Sequence, residues 1–342
     1  MLVWSVGFIV RAVKPGGSLT VKQSGGGSMF GRLYVRVLLG AVFIMQGVVY
    51  DGTTSGLYFG GHDESNENLD ADGLLRASMH ALYAMHFDLA DSLTGHFLAS
   101  YPDHYLAHVA RANYYWWFSI ASAPDNFKKG VFAERVRKAK ELAERFANGK
   151  MRAQPEILFH LISLSAMSVR YEVMHANYLR ALSSGRQAIG YISASSGEED
   201  SYPGFYLTNG LYNYMVATAA ERNYLFRMFS LFYPPGDKLR GLEQLKLAAS
   251  QDDFILQTEA HYFLMRIYLD LEVDSQQALY HAGRLTDIYP SNLIYRYYYL
   301  LAYAGVYGEE RVLAERDRFR RLVVEHNGLC DAQRAYFLGL VE

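Results

Sequence analysis

From Gly73 to the C-terminus, apolar residues recur at three- and four-residue spacing almost without interruption, as they do in amphipathic helices that turn one face inward. The pattern divides into about thirteen helical segments, with no alternating run that reads as a strand. Breaks fall near Pro102, Pro124, Gly149 to Pro155, Gly197 to Pro203, Pro234-Pro235-Gly236, Pro290 and Gly305. Helices that follow one another through short turns predict an all-α helical array. The chain has only 8 prolines, which suits long helices because an interior proline removes a hydrogen bond and clashes with the preceding turn.

The first seventy residues do not share this rhythm. Residues 1–28 run from an apolar stretch through Lys14-Pro15-Gly16-Gly17 to Ser24-Gly25-Gly26-Gly27-Ser28, directly before Met29. Three readings stay open: a misassigned start, since consecutive glycine codons can resemble a ribosome-binding sequence, an engineered linker, or a genuine hairpin. Starting at Met29, Arg32 and Arg36 precede the apolar run Val37 to Met45, so residues 29–50 have the layout of a secretory signal peptide. A buried N-terminal helix or strand is the competing reading. Residues 51–72 are rich in glycine, asparagine and acid and read as a linker, which leaves 73–342 as the repeat domain.

Internal comparison sharpens the repeat assignment. Phe87-Asp88-Leu89-Ala90 precedes Tyr101-Pro102 with the same spacing as Ser275-Gln276-Gln277-Ala278 precedes Tyr289-Pro290. A small residue where two helices cross, and a proline that closes the second helix, punctuate each unit. On these residues the chain resembles the tetratricopeptide-repeat (TPR) class. Leu264 and Tyr268 match the Leu and Tyr of the motif's first helix if one extra turn residue is allowed before Ala278. Ala77 and Ser78 stand at the corresponding Leu-Gly positions of the earlier unit. Met265 departs from the motif's small residue, and the two units lie 188 residues apart, not a multiple of the motif's ~34-residue period. Weaker units centre on Ala181 and on the turn at Tyr307-Gly308. The stretch from Gly236 to Leu245 is also similar to eukaryotic TPR-like proteins of the Iml2/TTC39 type. The resemblance implies a right-handed α-solenoid with irregular middle repeats, whose first helices line a concave, protein-binding face.

Little in the chain points to catalysis. With 33 basic and 35 acidic residues the net charge is -2, which gives no global footprint for nucleic acid. The single cysteine, Cys330, rules out an internal disulfide framework and reads as a small buried residue at a helix start. His104 and His108 are four apart and could share a helix face, but no third ligand follows at a metal-motif distance. No phosphate loop, nucleophile elbow or cofactor motif occurs. Lys128 to Arg152 holds nine basic and three acidic residues, and its i,i+4 pairs read as a solvated helix face.

Aromatic residues are the most informative side chains, with 28 tyrosines among them. Tyr295, Tyr299 and Tyr303 fall on one helix face after Pro290, and Tyr114 and Trp117 belong to the run Tyr114-Tyr115-Trp116-Trp117-Phe118. These five are the expected partner contacts, because tyrosine can stack on a peptide while its hydroxyl bonds to it. The expected function is therefore a non-catalytic, exported scaffold that binds a protein or extended peptide. It takes no cofactor or nucleic acid and meets a membrane only through an uncleaved N-terminal segment. The contrasting expectations are an enzyme with its site in the aromatic-rich stretch 202–237, and a purely structural assembly module.

Overall fold

A computed structural model describes residues 69–122, 129–150, 152, 154–222 and 234–341. Residues 1–68 lie outside the described residues, so the start, signal and most of the linker expectations do too, as do Pro124, Tyr224, Phe226, Phe229 and Phe232. Among the described residues there are thirteen α-helices and no strand. They are α1 (Ala71–Tyr83), α2 (Phe87–Ser100), α3 (Tyr105–Ile120), α4 (Lys129–Ala147), α5 (Pro155–Met174), α6 (Tyr178–Ser195) and α7 (Gly204–Arg222). The series continues with α8 (Lys238–Ala249), α9 (Phe254–Ile267), α10 (Ser275–Ile288), α11 (Leu293–Tyr307), α12 (Glu309–Glu325) and α13 (Asp331–Gly339). Each helix packs chiefly on its neighbours in sequence, so the fold is an all-α array of consecutive pairs. Helix α1 begins at Ala71, two residues before the expected domain start, because the Asp70 carboxylate accepts from the Gly73 N–H at 2.8 Å.

The two units matched in the sequence are equivalent in register. Helix α10 starts and ends 188 residues after α2, and α11 starts 188 residues after α3. Ala90 and Ala278 are both fully buried. Met85, Ala176 and Val273 stand two residues before α2, α6 and α10, and all three are in the left-handed conformation that reverses the chain between the helices of a pair. In the first two turns a backbone N–H reaches five residues back, His86 to Ala81 and Asn177 to Glu172; in the third, Asp274 reaches six back to Tyr268. The extra residue is absorbed by a π-helical turn over Tyr268–Glu272. One expected break moves. Gly305 lies inside α11, which ends at Tyr307 with Gly308 as its cap; glycine stands at 305 because a Cβ there would collide with the Ser275 side chain at the start of α10.

The pair α7/α8 approaches most closely through glycine. A Cβ on Gly241 would sit 2.5 Å from the Tyr214 nitrogen, and one on Gly210 would sit 3.1 Å from the Gly241 carbonyl. The described part of the aromatic-rich stretch is thus a core helix and the lead into its partner. Helix α7 is buried nearly all round, and the Tyr212 hydroxyl donates to the Pro234 carbonyl at 2.7 Å.

The array also curls onto itself. Arg76 pairs with Asp253 at 2.5 Å, and the Tyr83 hydroxyl donates to the Glu259 carboxyl at 2.6 Å. The Asn292 amide donates to the Tyr83 carbonyl at 2.8 Å while its oxygen caps α11 by accepting from Ile294 and Tyr295. One hydrophobic core therefore joins α1–α5 to α9–α13, and a second runs through α5–α11.

Candidate functional site

A groove of about 640 Å³ lies between α4, α5 and α6. Its origin lies in α6, where Ala181, Gly185 and Ala188 recur at i, i+4 and i+7. A Cβ at Gly185 would lie 3.9 Å from Val169, an ordinary packing distance, and α6 packs chiefly on α5. Phe132, Val136, Ser168 and Tyr171 form the groove's inner lining. Its rims carry Glu134, Arg137, Lys140, Glu141 and Glu144 from α4, with Arg180, Ser184 and Gln187 from α6.

Two bonds close one end. The Lys140 ammonium donates to Gln187 at 2.9 Å, and the Tyr191 hydroxyl donates to Glu144 at 3.0 Å. Both partners advance by four residues, so α4 and α6 run parallel, and the groove extends toward Glu134 and Arg180. Burial lowers the Lys140 proton affinity, partly offset by Glu144. Glu141 is held ionised chiefly by its bond from Arg145, with Lys138 and Arg137 adding to it. Of the helix pairs expected on this face, Arg137–Glu141 and Glu141–Arg145 form, whereas Lys140 crosses the groove to Gln187.

The four tyrosines and one tryptophan expected as partner contacts lie elsewhere, and none of the five lines this groove. Tyr295 and Trp117 are 1% and 5% exposed and meet edge to face with ring centres 6.0 Å apart. They are core residues where α3 meets α11 and have little surface for a partner. Tyr299 and Tyr303 are half-buried; their rings stack 6.0 Å apart, and Tyr307 extends the row at 4.5 Å. Tyr114 is also half-buried under Arg111, and burial followed by the Asp91 charge pushes its hydroxyl up to about 12.

Other residues depart from expectation. Cys330 is exposed at the start of α13, where its N–H donates to the Gln333 amide oxygen at 3.0 Å. His104 is the residue before α3 and does not share a helix face with His108. His108 bonds to the Pro102 carbonyl at 2.9 Å and faces Arg135 at 3.4 Å.

Sequence reasoning passed over an inner cluster. Arg170 on α5 lies over the Trp116 ring at 4.2 Å, and Arg266 on α9 lies over Tyr298 at 4.5 Å. Arg266 donates to Asp270 at 2.7 Å and to the Tyr298 hydroxyl at 2.7 Å. Each arginine is a solitary cation within an apolar helical run, which was the available signal. Helix α5 itself is long and apolar enough to cross a membrane, but most of it is buried within this fold. No family model matches the chain, and neither the curated proteins nor the solved structures contain a match to it.

Proposed function

We propose that the chain is a non-catalytic TPR-like scaffold that captures an extended peptide segment of a partner protein in the groove between α4 and α6. The observation that carries this reading is the groove's construction: the half-buried ring of Tyr171 lies in the inner lining above the buried Phe132 and Val136, and the rims bear charges of both signs. An extended segment can lay apolar side chains on such a lining while its backbone and charged groups bond to the rims. The neighbouring helices are tightly packed, so the surface is preformed and little ordering is required on binding. Export to the cell envelope is part of the proposal and rests on the basic-then-apolar layout of residues 29–50.

Selection from a random peptide library on the immobilised protein tests the reading. Ser184→Trp fills the groove and Arg180→Glu reverses one rim charge; both should abolish or strongly weaken capture of selected peptides while leaving the helical circular dichroism unchanged. Selected peptides that bind the Ser184→Trp variant as tightly as the original protein overturn it.

A further inference from the structure

Asparagine is followed by glycine at Asn148-Gly149, Asn209-Gly210 and Asn327-Gly328. In such a pair the glycine nitrogen can attack the asparagine side-chain carbonyl, because no β-carbon on the glycine hinders the approach. The attack needs a free glycine N–H and room for the peptide plane to turn toward the side chain. Neither is present at Gly210, which lies within α7, where its N–H belongs to the helical ladder and a Cβ would sit 3.1 Å from the Gly241 carbonyl. Asn209 is itself buried and held: its amide donates to the Ser195 carbonyl at 3.1 Å and to Glu199 at 2.9 Å, and its oxygen accepts from the Ser195 hydroxyl at 2.9 Å. Asn327 is exposed, but the Gly328 N–H donates to His326 Nδ1 at 3.1 Å, and a Cβ at Gly328 would lie 2.9 Å from the Met85 carbonyl oxygen. Asn148 and Gly149 differ on both counts. They are the central residues of the turn that closes α4, with φ of 44° and 73°, and the Lys150 N–H donates across them to the Ala147 carbonyl at 2.7 Å. A type I′ turn has both central residues at positive φ in this way, and it suits asparagine followed by glycine. Its closing bond uses the residue after the glycine, so the Gly149 N–H is left without an acceptor among the described residues. Both residues are exposed, and a Cβ at Gly149 would meet nothing within 4 Å.

We propose that Asn148 is a modification site, the one Asn-Gly pair that the fold leaves open to spontaneous deamidation, with water as the only co-reactant. The Gly149 nitrogen gives up its proton to solvent base and bonds to the Asn148 side-chain carbonyl carbon. The bond from that carbon to the side-chain nitrogen breaks, and the nitrogen takes a proton from water and leaves as ammonia. Water then adds to either carbonyl carbon of the cyclic imide, and the ring C–N bond at that carbon breaks. Opening at the side-chain carbon gives aspartate; opening at the main-chain carbon gives isoaspartate. Both products set a carboxylate one residue beyond α4, at the end where the helix carbonyls already concentrate negative charge. Isoaspartate also lengthens the main chain by one carbon, so the turn no longer closes on the Lys150-to-Ala147 bond. The modification therefore loosens the C-terminal end of α4.

The intact protein, held at mildly alkaline pH and physiological temperature, supplies the test. Samples are digested in acid at intervals, and the peptides that carry the three pairs are followed by mass spectrometry with electron-transfer fragmentation, which tells isoaspartate from aspartate. In the folded protein Asn148 should convert about tenfold or more faster than Asn209 and Asn327, a difference of about 1.4 kcal/mol in barrier. In guanidinium chloride the three should convert at similar rates, because the local chemistry is then the same. Gly149→Ala, shown by circular dichroism to be folded, should slow conversion at Asn148 about tenfold or more, since its methyl shields the attacking nitrogen. The proposal is overturned if Asn148 converts no faster than Asn327 in the folded protein, or stays an amide after the unfolded chain has converted. It is equally overturned if the preference for Asn148 persists unchanged in guanidinium chloride, or if folded Gly149→Ala converts as fast as the original protein.

Discussion

Glu259 makes the seam between the two ends of the array depend on pH. Its side chain is buried on α9, and the Tyr83 hydroxyl of α1 donates to one of its oxygens. Burial pushes the carboxyl up to about 8 from an ordinary 4.5, against the weaker opposing effect of the Tyr83 bond. At neutral pH the folded protein thus keeps a proton that the unfolded chain has released. The stability contributed by the protonated acid is complete below pH 4.5 and declines as pH rises toward 8. One pH unit corresponds to about 1.4 kcal/mol, so about 3 kcal/mol has been lost by pH 7 and about 5 by the upper end of the range.

Glu259→Gln removes this titration while keeping the shape and an oxygen that can accept from Tyr83. Urea unfolding followed by circular dichroism, repeated from pH 4 to pH 9, measures the effect. The variant's stability relative to the original protein should be flat below pH ~4.5, climb by about 1.4 kcal/mol per unit through the range, and level off above pH ~8. Two stability curves that run parallel at every pH would refute a protonated, buried Glu259.

Three further outcomes follow from the packing. Val273 is 77% exposed with φ at 56°, a conformation that a β-branched residue adopts under strain; Val273→Asn should stabilise the protein by about 1 kcal/mol in the same urea assay. Gly241→Ala inserts a methyl 2.5 Å from the Tyr214 nitrogen, so the α7/α8 pair must separate; a loss of about 1–3 kcal/mol and a lower melting midpoint are expected, and an unchanged midpoint refutes the close approach. Burial, with the nearby His104 charge adding to it, lowers the His160 pKa from 6.5 to about 3; the stability of its neutral form is lost as pH falls from 6.5 toward 3, and His160→Gln should flatten that acid limb in a pH-dependent melting series.

Much of the architecture was legible because it depends on local pattern. The equal spacing of Ala90 to Pro102 and Ala278 to Pro290 becomes equal helix boundaries and equally buried alanines. The extra residue before Ala278 becomes the π-helical turn. What the pattern could not convey is long-range contact. Tyr295, Tyr299 and Tyr303 share one helical stripe, yet only Tyr295 meets Trp117 of α3, a partner 178 residues earlier, and is buried by it. Gly305 reads as a breaker in one dimension and as a contact with Ser275 in three. The groove was illegible for a related reason, because its small residues on α6 look like an ordinary amphipathic helix until α4 is placed beside them.

Closure of the array bears on where a partner can dock. In an open array the first helices of the pairs turn a continuous face toward the solvent. Here α1, α3, α9 and α11 use that face on one another, through Tyr83 with Glu259 and Trp117 with Tyr295. Among the described residues a concavity lies between the second helices α4 and α6, which two bonds bridge at one end. Helix α5 is common to both regions, with Ser168, Tyr171 and Glu172 toward the groove and Arg170 toward the inner cluster.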